Sequence, residues 1–157
     1  MTVVADTSPL NYLILIDEVE LLPALFAHVL LPRAAFQELL HDKSPLKVRE
    51  WMVQLPPWLE VRDVASILRP ELIELDPGER QAIQLAIAEG IETVLLDDAD
   101  GRRIAESLRL EVRGTLGVLE RGAKLGLTNF RQALEKLGRT TFRMSPALRA
   151  AALQRNP

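Results

Sequence analysis

The chain has 157 residues, of which 48% are hydrophobic and 26% charged, a balance typical of one ordinary soluble domain and not of collagen-like or disordered chains. It contains no cysteine, which excludes a disulfide framework, a cysteine-ligated metal site and a thiol nucleophile. The first basic residue is Arg33 and no apolar run approaches the length of a membrane span, roughly 18 residues. We therefore expect a cytoplasmic protein with no signal peptide and no membrane contact.

The charge is distributed unevenly along the chain. Residues 1–100 hold 18 acidic and 7 basic side chains, whereas residues 101–157 hold 4 acidic and 12 basic ones. This asymmetry is more informative than the net charge of −3. One acidic and one basic region in a compact domain suit a polyanion held near carboxylates, although an ordinary solvated surface gives the same pattern.

The first predicted strand covers residues 3–5, an apolar run that stops at Asp6. The following Ser8-Pro9 is typical of a helix N-cap with proline at the first helical position, and predicts a helix over residues 9–16. The next predicted elements are a helix near 19–27, a strand over 29–31 and a helix that opens at Pro32 and carries Phe36 and Glu38.

The middle of the chain, residues 43–75, has the least regular pattern. It suggests a helix over residues 45–54, a strand near 59–61 and a loop before Pro70. No chemistry is indicated there.

A clear helix start follows at Asp76-Pro77-Gly78-Glu79, and this helix runs to Glu89 with Gly90 as its C-cap. Residues 93–96 form an apolar strand that ends, like the first, on carboxylates, here Asp97 and Asp98. The remaining predicted elements are a helix over 99–108, a strand over 111–113, a helix that opens after Gly114-Thr115, and helices near 128–137 and 146–154.

Strands that read as continuous apolar runs and alternate with helices indicate a parallel sheet covered on both faces. The predicted fold is α/β, a three-layer α/β/α sandwich with a mainly parallel sheet. We expect one domain over residues 1–145, with 146–157 as its C-terminal helix and tail. Ligands of such folds bind beyond the carboxyl ends of the strands, which is where Asp6 and Asp97 lie.

Carboxylates at these strand ends either cap a helix or point into a crevice. Ser8 is the better predicted cap for the first helix, which leaves Asp6 free. Of the adjacent Asp97 and Asp98, only one can easily cap the next helix, and Asp98 is the better placed. Either remains a candidate ligand.

Two glutamates are further candidates. The spacing Asp76-x-x-Glu79 is that of a capping box, but Glu79 also shares the predicted sheet-facing stripe of Ala82 and Ile83. Glu38 is either a ligand or an ordinary solvated side chain.

If these carboxylates converge, they need a positive charge among them to stay ionised. Oxygen donors without cysteine favour Mg²⁺ or Mn²⁺ over zinc. The candidate catalytic acids are Asp6, Glu38, Glu79, Asp97 and Asp98, and the candidate metal ligands are Asp6, Glu79, Asp97 and Asp98. Hydrolysis of a nucleic-acid backbone is the leading chemistry, because a divalent ion beside a phosphodiester activates water and stabilises both the attacking and the leaving oxygen.

Several polar and basic residues are candidate substrate contacts. Ser8, Asn11 and Thr115 are placed to hydrogen-bond carboxylates or waters, although capping is the alternative for Ser8 and Thr115. Arg33, Arg102 and Arg103 are candidate phosphate contacts or ordinary surface arginines. Aromatic residues make up 4% of the chain, so no base-stacking platform is evident.

Five short stretches occur in a definite order along the chain: Val4 to Leu10, Leu31-Pro32 through Glu38-Leu39, Gly78 to Ile83 with Leu85-Ala86, Leu95 to Asp98 followed by Gly101-Arg102 and Ala105, and Gly114 to Leu119. Together they resemble the PIN-domain superfamily, specifically the compact prokaryotic proteins often encoded as toxin halves of toxin–antitoxin pairs. The resemblance covers about residues 2–145.

The resemblance implies a metal-dependent ribonuclease in which Asp6, Glu38 and Glu79 match the first three acids of the family. Most members have aspartate where this chain has Glu79. The fourth acid is Asp97, Asp98 or Asp100, with Asp97 favoured because it directly ends the strand. The resemblance also implies an RNA substrate, a homodimer and a small antitoxin partner.

The principal alternative is a PIN-like module that binds nucleic acid or protein without cleaving it. A phospho-receiver domain is disfavoured, because the acidic pair comes late and no lysine ends a strand after Thr115. A haloacid-dehalogenase-type phosphatase is disfavoured, because Asp6-Thr7-Ser8 lacks the second acid of an Asp-x-Asp motif.

Overall fold

The computed structural model of the chain describes residues 1–65 and 69–157. Within these residues, five strands form one all-parallel sheet with the order β3-β2-β1-β4-β5. The strands are β1 Thr2–Ala5, β2 His28–Pro32, β3 Leu59–Arg62, β4 Thr93–Leu95 and β5 Glu111–Arg113.

Helices follow or separate the strands throughout the chain. They are α1 Thr7–Leu15, α2 Leu21–Leu25, α3 Arg33–Leu40, α4 Leu46–Met52, α5 Pro77–Glu89, α6 Ala99–Ser107, α7 Thr115–Lys124, α8 Phe130–Gly138 and α9 Pro146–Arg155, with a 3₁₀ turn at Pro70–Leu72.

Each face of the sheet is covered by its own apolar core. Because successive side chains of a strand point to opposite faces, Val3 and Ala5 pack on one side, with residues from α1, α7 and α8. Val4 packs on the other side, against α5 and α6. This arrangement confirms the predicted three-layer α/β/α sandwich.

The strand order places the two acid-bearing strands next to each other. The chain adds β2 and β3 on one side of β1, and then crosses to the other side to form β4. Ala5 is in register with Leu95, and the backbone N–H of Asp6 donates to the Leu95 carbonyl at 3.0 Å. The switch point of the sheet, where α/β folds bind ligands, is therefore bordered by Asp6 and the residues that follow β4.

The start of α1 differs from the prediction. The helix begins at Thr7 with Asp6 as its N-cap residue, so the prediction that Ser8 caps a helix opening at Pro9 is wrong. The hydroxyl of Ser8 bonds instead to a side chain 89 residues away, that of Asp97. Pro9 is still tolerated, because N–H groups of the first turn have no partner inside the helix.

Other differences are small. The second helix is shorter than predicted, because a turn at residues 17–20 precedes it and Asp17 adopts the left-handed conformation with φ 61°. The 3₁₀ turn at Pro70–Leu72 was not predicted. Residues 66–68, part of the loop predicted before Pro70, lie outside the described residues.

The C-terminal helix α9 packs on the first core. Ala152 is fully buried there, and the guanidinium of Arg155 pairs with the Glu120 carboxylate of α7 at 2.7 Å. Among the helices of the described residues, none has the length and apolar character that crossing a membrane requires.

Candidate active site

A cavity of about 860 Å³ lies at the carboxyl ends of β1 and β4. We call it the acidic cavity, because six carboxylates line it: those of Asp6, Glu38, Asp76, Glu79, Asp97 and Asp98. All five acids predicted from the sequence to be catalytic therefore face one space, and Asp76 joins them.

Four helices begin around this cavity, which helps to explain how so many carboxylates can gather there. In a parallel sheet, each strand leads from its carboxyl end into the N-terminus of a helix, where the free N–H groups and the helix dipole favour negative charge. The residues at these starts are Asp6 at α1, Asp76 at α5, Asp98 at α6 and Thr115 at α7.

Asp6 is the most deeply placed acid. The residue is only 5% exposed. Its Oδ1 atom is buried and has no hydrogen-bond partner within residues 1–65 and 69–157. Burial raises the pKa of Asp6 to about 7; the backbone N–H of Thr7 lowers it, and nearby negative charges, including those of Asp76 and Glu38, raise it further. The site thus holds an acceptor oxygen that needs a partner.

Gly78, in the first turn of α5, allows this helix to approach Asp6 closely. A Cβ atom at position 78 would lie 2.8 Å from Asp6 Oδ1, 3.2 Å from Thr7 Oγ1 and 3.4 Å from Glu38 Oε2. Any side chain at this position would displace the carboxylates, so Gly78 is needed for close approach and not for a special backbone angle.

Glu38 lies on the exposed rim of the acidic cavity. Its Oε2 accepts a hydrogen bond from the Thr7 hydroxyl at 2.9 Å. This contact joins α3 to the start of α1. It holds Glu38, the second predicted acid, against Thr7, the residue that follows Asp6 in the chain.

Glu79 is buried, and the N-terminal cap of α5 is made by the Asp76 side chain. Asp76 Oδ1 accepts from the Glu79 backbone N–H at 2.8 Å, while the Glu79 residue is only 8% exposed, on the same helix face as the buried Ala82 and Ile83. Burial raises the pKa of Glu79 to about 8, with further increases from Asp76 and Asp98. Two roles were predicted for Glu79, a partner in the capping box or a side chain that faces the sheet. Its burial beside Ala82 and Ile83 agrees with the second role.

Asp97 is held by three hydrogen bonds. Its Oδ2 accepts from the Ser8 hydroxyl at 2.9 Å and from the Thr115 hydroxyl at 2.6 Å, and its Oδ1 accepts from the Thr115 backbone N–H at 2.7 Å. Ser8 and Thr115 therefore orient a carboxylate. This is one of the two roles predicted for them, the other being helix capping.

Asp98 caps α6, as its sequence position predicts. Its Oδ2 accepts from the backbone N–H groups of Asp100 and Gly101, at 3.0 and 3.1 Å. Asp100 is exposed, and it does not line the acidic cavity within the described residues.

The other predicted contacts are more scattered. Asn11 lines the acidic cavity, and Arg102 lies beside the strand end, where its Nη1 donates to the Leu96 carbonyl at 3.2 Å. Arg33 pairs with Asp63 at 2.9 Å and is not among the described residues that line the cavity.

Several further residues that line the cavity were not predicted from the sequence. Tyr12 is one helical turn beyond Ser8 and was recoverable from that spacing. Phe142 and Arg143 come from the segment between α8 and α9, far from every motif. Tyr12 and Phe142 form an edge-to-face pair with centroids 5.1 Å apart.

The donor chemistry of the acidic cavity fits a hard divalent cation. The orphaned Asp6 Oδ1 and the clustered carboxylates are the oxygen donors that Mg²⁺ and Mn²⁺ prefer. In the described residues, however, no three histidine or acidic side chains stand close enough together to enclose an ion directly. An ion held by these acids would therefore have to retain several waters, as Mg²⁺ usually does.

Replacing Asp6 with asparagine should stabilise the metal-free protein at high pH. The pKa of Asp6 rises from 3.8 to about 7 on folding, so the folded state binds this proton more tightly and stability falls as pH rises between these values. Because one pKa unit corresponds to about 1.36 kcal/mol, we expect Asp6→Asn to raise the free energy of unfolding at pH 8 by up to about 4 kcal/mol. The effect should vanish near pH 4.

Urea denaturation in EDTA at pH 4 and pH 8 measures this difference. Asp42→Asn, which removes an exposed carboxylate outside the cavity, is the matched control and should change little at either pH. An equal effect of Asp6→Asn at both pH values would contradict the burial explanation.

Comparison with known proteins agrees with this architecture. A family profile described as a PIN domain matches residues 2–156. Neither the curated proteins nor the solved structures gave a match. PIN domains are generally nucleases, and the position of the acidic cavity at the switch point of a parallel sheet is consistent with that fold. The chain belongs to the PIN-domain family.

Proposed function

We propose that this protein is a metal-dependent endoribonuclease that hydrolyses RNA phosphodiester bonds with Mg²⁺ or Mn²⁺. Its membership of a nuclease-type family supports the reaction class. The observation that carries the proposal is the buried Asp6 Oδ1, which has no hydrogen-bond partner in the described residues although several carboxylates surround it. A bound cation would satisfy this oxygen and neutralise its neighbours.

In this proposal Asp6, Glu79, Asp97 and Asp98 hold the cation. Hydrogen bonds do not prevent Asp97 or Asp98 from doing so, because each carboxylate has about four lone-pair sites. When bound, the ion supplies Lewis-acid chemistry: it lowers the pKa of water and offsets charge that develops on the phosphodiester.

The remaining steps belong to the side chains. Ser8 and Thr115 fix the Asp97 carboxylate in one orientation, and Thr7 fixes Glu38 at the rim. We assign to Glu38 the orientation of the attacking water, since it is exposed at the rim of the cavity and, unlike the exposed Asp98, is not one of the four acids assigned to the cation. The burial of Asp6 keeps bulk water away from the deepest carboxylate.

One observation favours the alternative, a PIN module that binds RNA or protein without cleaving it. Within residues 1–65 and 69–157, the acids do not approach each other closely enough to enclose an ion. A silent module would use the carboxylates as helix caps and hydrogen-bond acceptors, as Asp98 is used here.

Activity assays with purified protein separate the two functions. We expect cleavage of mixed RNAs with Mn²⁺ or Mg²⁺, loss of cleavage with EDTA, and a decrease of about a thousandfold or more in Asp6→Asn, because metal catalysis contributes several kcal/mol and each 1.36 kcal/mol is tenfold. Asp42→Asn should retain wild-type cleavage. Cleavage that survives EDTA would remove the metal mechanism, and a protein that binds RNA but never cleaves it would be the silent module.

Thr115→Val tests the positioning of Asp97. The substitution removes the hydroxyl that donates to Asp97 Oδ2 and keeps the backbone N–H that donates to Oδ1. Loss of such an orienting partner costs about 10- to 100-fold in metal affinity or activity. We expect a higher Mn²⁺ concentration at half-maximal activity, with partial rescue in Thr115→Ser; an unchanged metal dependence would mean that Thr115 does not position a ligand.

The narrower proposal is that the enzyme is the toxin of a type II toxin–antitoxin pair, works as a homodimer and is silenced by a small antitoxin; it is supported by the sequence resemblance. Expression of the chain alone should slow growth of the host cell, while Asp6→Asn should not. Co-expression of a short reading frame that adjoins the gene should restore growth. Equal growth with the wild type and Asp6→Asn would contradict the toxin role without affecting the nuclease proposal.

A further inference from the structure

A second cavity adjoins the acidic one. Its volume is about 660 Å³, and the two cavities share Asp97, Ala99, Phe142 and Arg143 as lining residues, so they form one continuous surface. We call it the basic cavity, because five arginines line it: Arg102, Arg103, Arg113, Arg143 and Arg155.

The two cavities draw their charged residues from the two differently charged parts of the sequence. Every carboxylate of the acidic cavity comes from residues 1–100, and every arginine of the basic cavity comes from residues 101–157. The basic cavity also holds the carboxylates of Asp97, Glu106 and Glu120, so its arginines outnumber its acids. The charged residues that line the surface therefore change from mostly acidic in one cavity to mostly basic in the other.

Most of these arginines are already paired with a carboxylate. Arg113 contacts Glu111 at 2.8 Å and Arg155 contacts Glu120 at 2.7 Å. Arg103 lies 3.7 Å from Asp100.

Arg143 is different from its neighbours. It is exposed, it lines both cavities, and within residues 1–65 and 69–157 it has no hydrogen bond and no ion pair. Arg102 donates from Nη1 to the Leu96 carbonyl. It has no carboxylate partner in the same described ranges. The uncompensated positive charge thus lies at the junction of the cavities and beside Asp97.

We propose that the basic cavity binds the backbone of single-stranded RNA next to the bond that is cleaved, with Arg143 holding the phosphate at the junction. This inference rests on the proposed ribonuclease function. The carboxylates of the acidic cavity repel the RNA backbone wherever no cation offsets them, so contacts in the basic cavity would help to hold the phosphates next to the scissile one. The planar guanidinium of Arg143 offers the paired donors that suit a phosphate.

Phe142 favours a single-stranded occupant. It is half-buried, lines both cavities, and stands nearly perpendicular to Tyr12, at 83°. An aromatic ring at such a junction can take an unpaired base by stacking. Bases in a duplex already stack on each other and are not available for this contact.

Fluorescence anisotropy in EDTA tests the inference without cleavage. The probe is a fluorescein-labelled, single-stranded RNA 12-mer of mixed sequence, titrated at several salt concentrations with the wild type, Arg143→Ala and Arg121→Ala. Arg121 is an exposed arginine of α7 that lines neither cavity, so its variant matches the change in charge. We expect weaker binding by Arg143→Ala and a plot of log K against log salt that is less steep by about 0.7, the value for one phosphate contact on a single strand. Arg121→Ala should match the wild type.

Three results would overturn the inference: an unchanged salt slope in Arg143→Ala, equally tight binding of a blunt duplex of the same sequence, or equal competition by poly-glutamate. The same protein samples, supplied with Mn²⁺, separate this inference from the proposed function. Arginine-dependent binding without cleavage would support the RNA path and contradict the nuclease, whereas Mn²⁺-dependent cleavage with wild-type binding by Arg143→Ala would do the reverse.

Discussion

The burial of the Asp6 carboxylate among other acids is the unfavourable interaction that the surrounding structure has to accommodate. Removal from water disfavours its charged form, and its Oδ1 finds no donor in the described residues. The fold offers partial compensation, because parallel strands deliver the N-termini of α1, α5, α6 and α7 to the same edge. Helix dipoles contribute only a few tenths to about 2 kcal/mol each, so they reduce the repulsion without removing it. Protonation of Asp6, which its raised pKa favours, or the cation of the proposed function would supply the rest.

The hydrogen bonds around the cavity divide the acids into two kinds. Asp97 and Asp98 accept several bonds from neighbouring backbone and hydroxyl groups and are fixed without a cation. Asp6 and Glu79 are buried, and both have a raised pKa. In the proposed function, these two acids would lose their protons when the cation binds, so cation binding would release protons. The first pair provides the fixed half of the site.

Local sequence signals predicted those elements whose causes are local. The strand before Asp6, the strand before Asp97 and the whole of α5, from the Asp76 cap to Gly90, follow from apolar runs and capping residues. The capping role predicted for Ser8 is wrong and its carboxylate-binding role is observed, because its hydroxyl bonds to Asp97; no local pattern distinguishes these two roles, since the contact joins distant parts of the chain. The contribution of the segment after α8 was missed for the same reason, since Arg143 reaches the site only through the packing of α8 and α9.

Charge segregation along the chain becomes a functional arrangement only after folding. Apart from Glu38 of α3, the acids come from strand ends and helix starts of the first hundred residues. The arginines come from α6, β5, the segment before α9 and α9 itself. These parts meet at Asp97, whose carboxylate lines both cavities and is anchored by the first residue of α7. In the RNA path proposed above, arginines on one side of this boundary would attract the backbone and carboxylates on the other side would repel it. Together they would place a phosphodiester at Asp97, on the border of the two cavities.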